Sequence, residues 1–311
     1  METKNPDRTT LIAFALTVLF AGNNAIAVKF SNVELPPFFG AAIRFALASI
    51  ILFIIVLVFR LPLPRGRSLM GAIIFGTLGT GLNFALLYWA LEHIQAGLTM
   101  VILALVPLLT FIFACIHRQE TFSWKALFGA LFALLGIGII VWEQLSADLP
   151  LLPLLAVVGA AACFAESSVL IKTYPQTHPI TTNAVALLTG SVLLFVLSAL
   201  WRETPTLPTL PATWGALFYL IVFGSVATFV LSVYVIKRWT ASASSYQFVL
   251  FPIITITVAS WLAKETVSSV FLIGCVFVLL GVYIGAIANP EQLKRTFSGL
   301  LPRPKTPCTD C

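Results

Sequence analysis

Two charged side chains stand inside long apolar runs, where a charge is energetically costly. Arg44 lies in the run 37–59 and Glu166 in the run 151–172. Charged groups inside membrane-spanning helices face the bundle interior and often mark solute paths or proton relays. Arg44 could therefore bind an anionic group, and Glu166 could carry a coupling proton. Alternatively, each side chain satisfies backbone carbonyls or polar neighbours and fixes packing, and for Arg44 we favour this structural role.

Uncharged polar and aromatic side chains in these runs form a second candidate set. Amide and aromatic groups suit a zwitterionic or aromatic solute, because they combine hydrogen bonds with stacking. The alternative is hydrogen bonding between helices, which needs no solute. Pro107 and Pro252 each free a backbone carbonyl and bend a helix, so they are candidate gating residues. The candidate solute-binding residues are Asn23, Asn24, Arg44, Asn83, Tyr88, Glu166, Asn183, Tyr234, Tyr246 and Gln247.

Motifs of enzymatic chemistry are missing from the sequence. It contains no GxxxxGK(S/T) nucleotide loop, no HExxH zinc helix and no GxSxG nucleophile turn. The histidines His93, His117 and His178 are dispersed, and Cys308 with Cys311 supplies only half of a tetrahedral metal site. We therefore predict no catalytic residues, no metal and no cofactor, in a protein that is not an enzyme.

The runs that hold the candidate residues are long enough to cross a bilayer. The chain of 311 residues is 59% hydrophobic and 10% charged, whereas soluble domains have about 25% charged residues. A helix needs about 20 apolar residues to span the hydrocarbon core. The runs are continuously apolar rather than alternating, which favours helices over barrel strands. Ten spans are predicted, at 10–29, 37–59, 69–91, 96–117, 124–142, 151–172, 180–201, 212–236, 241–262 and 267–288.

The basic residues predict the orientation of these spans, because cytoplasmic loops carry an excess of Lys and Arg. The chain has 18 Lys and Arg residues. If the N-terminus is cytoplasmic, Lys29, Arg202 and Lys264 lie outside, Arg44 lies within a span, and all the others lie on the cytoplasmic side. We therefore predict a multi-pass protein of the cell (plasma or inner) membrane with both termini in the cytoplasm. The formal charge of +6 then reflects topology, and no nucleic-acid partner is expected.

The two halves of the chain repeat each other. Residues 96–139 match 241–284 at an offset of 145, and earlier in each half the offset is 143. Each half holds five predicted spans, an odd number, so the second half must cross the bilayer in the opposite sense. We predict a cytoplasmic N-terminus at 1–9, one repeat at 10–142, a second at 151–288 and a cytoplasmic tail at 289–311. Identical pairs include Leu105/Leu250, Pro107/Pro252, Thr110/Thr255, Glu120/Glu265 and Gly129/Gly274.

With this pattern the chain resembles the EamA branch of the drug/metabolite transporter superfamily, which includes amino acid exporters. The segments 22–29, 37–45 and 88–90 look like signatures of the family's first three helices. Ala21 departs from the pattern, since many members carry Trp there, near the solute path. The most specific match is Ala96…Pro107-Leu108…Glu120…Gly129…Gly136, repeated as Ala241…Pro252-Ile253…Glu265…Gly274…Gly281.

The resemblance implies an all-α membrane protein of ten transmembrane helices, arranged as two inverted five-helix repeats around a central cavity. It implies export or exchange of amino acids or similar small metabolites by alternating access. One alternative is drug efflux, and another is a carrier for sugar phosphates or nucleotide sugars. Such a carrier needs several cations in its cavity, and only Arg44 is well placed to supply one. The expected partners are a small-molecule solute, a coupling proton and the lipid bilayer, for a monomer or a homodimer.

Overall fold

The computed structural model describes residues 7–119 and 151–238, most of 244–258 and 268–284, and single positions between 122 and 139. All regular structure in these residues is helical, and seven helices are long and apolar enough to cross a membrane. This confirms a multi-pass, all-helical membrane protein. The spanning helices are α1 Arg8–Ser31, α2 Pro37–Val58, α3 Arg67–Leu91, α4 Ala96–Ile116, α5 Leu151–Thr173, α6 Pro179–Leu200 and α7 Pro211–Arg238. Two shorter helices follow, α8 Gln247–Val258 and α9 Ser269–Val282.

The seven long helices coincide within a few residues with seven of the ten predicted spans. The predicted spans 241–262 and 267–288 are represented in the described residues by the shorter α8 and α9. The predicted span 124–142 lies mostly outside the described residues, as do Glu120, Glu265 and the tail 289–311. The count of ten helices therefore stays a prediction.

The starts of the helices follow from local chemistry. The first turns of α2, α6 and α7 contain Pro37, Pro179 and Pro211. Backbone N–H groups in a first turn have no acceptor within the helix, so the N–H that proline lacks is not needed there. Asp7 caps α1, because its Oδ1 accepts a hydrogen bond from the backbone N–H of Thr10 at 3.0 Å. These signals define where each apolar run becomes a helix.

Four of the spans are irregular at their centres. α1 breaks at Asn23, and α4 breaks at Ala104 and Leu105, directly before Pro107. α3 and α7 contain π-helical segments at Gly76–Leu82 and Val222–Ala227. These two segments overlap under the offset of 145, so they occupy equivalent places in the two halves. Such segments release backbone carbonyls, which must find partners because lipid supplies none.

The first helix of each half packs against the third and fourth helices of the other half. α1 packs on α7 and α8, while its equivalent α5 packs on α3 and α4. α2 packs along its own equivalent α6. Phe38, at the start of α2, contacts Trp201, just past the end of α6, with ring centroids 5.5 Å apart. Ser49, later in α2, donates to the carbonyl of Ala184, near the start of α6, at 2.9 Å. α2 and α6 therefore run antiparallel, as an inverted repeat requires.

Glycine allows close contact at the interface of α3 and α6. A Cβ at Gly76, in the π segment of α3, would lie 2.7 Å from the Cα of Ala186 in α6. Because backbone cannot move aside as a side chain can, the absence of a side chain at Gly76 sets the distance between these helices.

Two carboxylates, Glu34 and Glu203, connect the loops at one end of the bundle by hydrogen bonds, and we call this pair the clasp. Glu34, between α1 and α2, accepts hydrogen bonds from the backbone N–H groups of Thr209 at 3.1 Å and Leu210 at 3.0 Å, at the start of α7. Glu203, between α6 and α7, accepts from the N–H groups of Phe38 at 3.1 Å and Phe39 at 2.8 Å, at the start of α2. Each loop thus places an anion at a helix N-terminus that belongs to the other half.

Glu34 keeps its charge in mild acid. The pKa of Glu34 is lowered to about 2, first by the hydrogen bond from the Thr209 hydroxyl and next by that from the Thr213 hydroxyl. A depressed pKa means that the ionised form stabilises the fold at neutral pH and that this contribution disappears only as the pH falls through about 2. The carboxylate of Glu34 therefore accepts its hydrogen bonds from the start of α7 throughout the physiological pH range.

Candidate functional site

A cavity of about 70 Å³ lies at the centre of the bundle, between the two halves. Its walls come from α1, α3 and α4 in the first half and from the equivalent helices α5, α7 and α8 in the second. None of the described residues that line it is charged. The cavity therefore has the location and the apolar lining of a site for a small organic molecule.

Six phenylalanine rings line the cavity. Phe84 and Phe229 are equivalent under the offset of 145, and their ring centroids lie 5.8 Å apart. Phe164 and Phe248 are 4.7 Å apart. These residues were not among those predicted from the sequence, although the match of Phe84 with Phe229 across the repeat is a signal that points to them. The six rings are Phe75, Phe84, Phe164, Phe229, Phe248 and Phe251.

Three of the predicted site residues, Asn24, Asn83 and Gln247, line this cavity. The side-chain amides of Asn83 and Asn24 donate to carbonyls in the two π segments, Asn83 to Gly79 at 3.1 Å and Asn24 to Gly224 at 3.2 Å. Oδ1 of Asn24 and Oε1 of Gln247 are buried and accept no hydrogen bond within the described part of the chain. Two lining residues thus each have an amide oxygen without a partner in the described part of the chain.

The structure places Arg44 behind the cavity wall rather than in the cavity. Its accessible surface is 0%, and it donates from Nε to Ser225 Oγ at 2.7 Å, from Nη2 to the Gly224 carbonyl at 2.8 Å and from Nη1 to Tyr88 Oη at 3.1 Å. Its guanidinium carbon lies 5.3 Å from the ring centre of Phe84, whose ring belongs to the cavity wall. Tyr88, also a predicted site residue, thus holds Arg44.

The π segment of α7 makes this buried cation tolerable. The Gly224 carbonyl accepts from both Asn24 and Arg44, and the Ser225 hydroxyl donates to Leu220 O at 2.8 Å while accepting from Arg44. A Cβ on Gly224 would collide with Asn24 Oδ1 and lie 3.1 Å from Arg44 Nη2. Arg44 has no carboxylate partner among the described residues, so backbone and hydroxyl dipoles compensate its charge. The contact ties α2 of the first half to α7 of the second.

The equivalent position in the second half is built differently. Under the offset of 143, Arg44 corresponds to Leu187 and Asn24 to Ser167. Ser167 lies against Gly79 of the α3 π segment, since a Cβ there would be 2.6 Å from Ser167 Oγ. Both halves thus bring a neighbouring helix close to the π segment, whereas the second half has no guanidinium at the position equivalent to Arg44.

Glu166 has a partner that the sequence analysis did not identify. His117 Nε2 lies 2.7 Å from Glu166 Oε1, and the two side chains are 34% and 27% exposed. His117 directly follows α4 and Glu166 lies toward the end of α5, so the pair is near the end of the bundle opposite the clasp. The sequence could not reveal this pair, because the packing of α4 on α5 brings together residues 49 positions apart.

Several predicted residues lie in other places. Asn23 borders a separate open groove of about 430 Å³ between α1 and α7, which also includes Tyr219. Asn183 donates to the Phe229 carbonyl at 2.9 Å and so supports the backbone behind the cavity wall. Neither Asn23 nor Asn183 therefore lines the central cavity.

The remaining predicted residues are Tyr234, Pro107, Tyr246 and Pro252. Tyr234 packs against Arg238, whose guanidinium carbon is 4.3 Å from its ring centre. Pro107 is the second residue of the helical segment Val106–Ile116, which follows the break in α4. Tyr246 and the side chain of Pro252 lie outside the described residues. No group of three potential metal ligands occurs in the described residues.

The chain matches known proteins over most of its length. Two copies of the EamA-like transporter family match residues 8–142 and 151–286, which confirms the resemblance. "Uncharacterized transporter YyaM" of Bacillus subtilis (strain 168) is 28% identical over 286 residues, covering 88% of this chain and 92% of that protein. "Uncharacterized inner membrane transporter YedA" of Escherichia coli (strain K12) is 27% identical over 285 residues, covering 87% and 90%. An "Uncharacterized transporter" of Archaeoglobus fulgidus is 25% identical over 282 residues, covering 88% and 97%.

A solved crystal structure has the same fold. It superposes with a TM-score of 0.67 at 16% identity and covers 92% of this chain and 99% of that one. At this level of identity the likeness concerns the fold alone.

The tie between Arg44 and α7 predicts the behaviour of a lysine variant. Arg44→Lys keeps the charge but lacks the planar fork, so it cannot reach Ser225, Gly224 and Tyr88 together. We expect a loss of about 1–3 kcal/mol of stability, from the acceptors left unpaired. Thermal unfolding of the purified protein in detergent measures this loss, with Arg60→Lys, at an exposed position, as the matched control. An unchanged midpoint for Arg44→Lys would refute the tie.

Proposed function

The chain belongs to the EamA-like transporter family, and from this premise we propose that it exports or exchanges small metabolites, amino acids or related compounds, by alternating access. The central cavity carries the proposal. It lies where three helices of one half meet the three equivalent helices of the other. A solute held there is positioned between the two units that must move relative to each other.

The proposed architecture has ten helices, arranged as inverted five-helix repeats at 10–142 and 151–288. The protein lies in the plasma or inner membrane with both termini in the cytoplasm. The antiparallel packing of α2 on α6 supports the inversion. In this orientation the Glu34 and Glu203 clasp faces the exterior, and the pair of His117 with Glu166 lies toward the cytoplasm. Related bundles of opposite orientation can exchange an outward-open and an inward-open state.

The lining of the cavity bears on the class of solute. A sugar phosphate or nucleotide sugar needs cations at its phosphates, and none of the described lining residues is charged. Arg44 is buried and already bonded. Amino acids and related compounds therefore rank above phosphorylated sugars, while drug efflux remains the alternative that the phenylalanine walls favour.

Transport through the cavity predicts the effect of filling it. Leu103 lines the cavity, so Leu103→Trp places an indole ring in the passage, and we expect solute flux to fall about tenfold or more because the larger side chain occupies space that the solute needs. The measurement is counterflow of radiolabelled amino acids into proteoliposomes that contain only this protein. The matched control is Leu57→Trp, at a lipid-facing position that is 75% exposed.

The outcome of the flux experiment separates the alternatives. Counterflow of amino acids that Leu103→Trp blocks and Leu57→Trp spares supports the proposal. If amino acids, sugar phosphates and cationic drugs all fail to exchange, the protein is not this kind of transporter. If Leu103→Trp exchanges solute at the wild-type rate, the passage lies elsewhere.

We also propose that the pair of Glu166 with His117 is where a coupling proton is taken up. The Glu166 carboxyl group and the His117 imidazole lie 2.7 Å apart, and the pair is partly exposed near one end of α5, where a proton from solvent can reach it. Glu166→Gln keeps the size and a hydrogen bond to His117 but removes the titratable carboxyl group. We expect this variant to lose accumulation driven by a pH gradient while it retains counterflow.

The control for this variant is Glu92→Gln, in the loop after α3. Uptake with and without an imposed pH gradient, in the same proteoliposomes, gives the comparison. Full, pH-dependent accumulation by Glu166→Gln would exclude this pair from proton coupling.

A further inference from the structure

We infer that the central cavity selects amino acids with an aromatic side chain. The solute ring lies against a cluster of phenylalanine rings in the second half of the chain and fills the space that Ala21 leaves open in the first half. This inference rests on the proposed function, because it names the side chain that the transport site prefers. Ala21 and Phe164 are then the residues that determine specificity.

Three of the rings in the cavity wall, Phe164 of α5 with Phe248 and Phe251 of α8, touch one another, and we call them the ring cluster. Phe164 meets Phe248 edge to face with centroids 4.7 Å apart, and the centroids of Phe248 and Phe251 are 4.8 Å apart. Tilted and edge-to-face contacts between rings are favourable beyond the burial of their area. An aromatic ring of the solute can therefore extend this cluster.

The first half of the chain has no counterpart of the ring cluster. The equivalent residues are all smaller, and none of them is aromatic. Under the offsets of 143 and 145, the equivalent pairs are Phe164 with Ala21, Phe248 with Leu103, and Phe251 with Val106. Ala21 and Leu103 also line the cavity. The two halves therefore present different surfaces to the same space.

Another pair of rings shows that the repeat itself does not impose this difference. Phe84 and Phe229 are equivalent under the offset of 145, both line the cavity, and their centroids lie 5.8 Å apart. Both halves thus keep a ring at this position, whereas only the second half has the ring cluster. The cavity therefore has an aromatic surface on α5 and α8 that α1 and α4 do not repeat.

Ala21 has the smallest side chain among the described residues that line the cavity. It belongs to α1 and lies two residues before the break at Asn23. A phenyl ring at position 21, like that of Phe164 in the second half, would occupy part of the cavity. The methyl group of Ala21 leaves this volume to the solute, so the size of residue 21 limits the size of the side chain that the cavity accepts.

Ala21→Phe gives the first half the ring of its counterpart and tests the space. We expect the affinity for phenylalanine to fall about tenfold more than the affinity for alanine, because only the larger side chain needs this volume. Isothermal calorimetry on the full-length protein in detergent measures both affinities. The matched control is Ala15→Phe, the same change at an exposed position of α1, which leaves the ratio of the two affinities unchanged.

Phe164→Leu tests the ring cluster, because it keeps an apolar side chain but removes the ring beside Phe248. We expect the affinity for phenylalanine to fall about threefold to tenfold relative to the affinity for leucine, since only phenylalanine loses a contact between rings. Phe218→Leu makes the same change on α7 at a position that is 62% exposed, and it leaves this ratio unchanged. If Ala21→Phe does not fold, Phe164→Leu still decides the matter.

Several outcomes would overturn the inference: an equal loss of affinity for phenylalanine and alanine in Ala21→Phe, an unchanged ratio of phenylalanine to leucine in Phe164→Leu, or no binding of phenylalanine to the unmodified protein. Counterflow of the same amino acids separates this failure from failure of the proposed function. Exchange of amino acids with both ratios unchanged would keep the transporter and refute the aromatic site. Binding of phenylalanine that changes as expected in both variants, without any flux, would keep the site and refute transport.

Discussion

The buried guanidinium of Arg44 constrains the rest of the structure. In the interior of a bilayer no water is available to solvate it, so helices must supply acceptors. An α-helix has no unused carbonyls in its interior, and the π segment of α7 releases the Gly224 carbonyl for this purpose. The same carbonyl holds Asn24, and the same guanidinium lies near the ring of Phe84. One polar contact thus joins the two halves and orients two residues of the cavity wall.

The two halves share a plan of packing but differ in polarity. Both place a π segment in their third helix and both bring a neighbouring helix against a glycine in it, Gly224 or Gly79. Only the first half supplies a guanidinium, since Leu187 stands at the equivalent position. The clasp of Glu34 and Glu203 also joins loops at one end of the bundle. The repeat therefore specifies the packing of the helices, while the polar contacts between the halves are asymmetric.

The sequence was sufficient for the elements and the repeat but not for the contacts between them. Continuous apolar runs bounded by Pro37, Pro179 and Pro211 give the spans, because length and hydrophobicity are properties of one segment. The partner of Glu166 is His117, on another helix, and the π segments depend on packing around Gly76 and Gly224. These features arise from tertiary contacts, so the sequence alone could select Arg44 as a buried charge without showing which groups it contacts.

The most direct test of the account is the side of the membrane that each half presents at equivalent positions. In a variant without its five native cysteines, a single cysteine replaces Glu120 or Glu265 and is exposed to a membrane-impermeant maleimide on intact cells. The inverted arrangement predicts that position 265 reacts from outside, whereas position 120 reacts only after the membrane is opened. Reaction of both positions from the same side would contradict it.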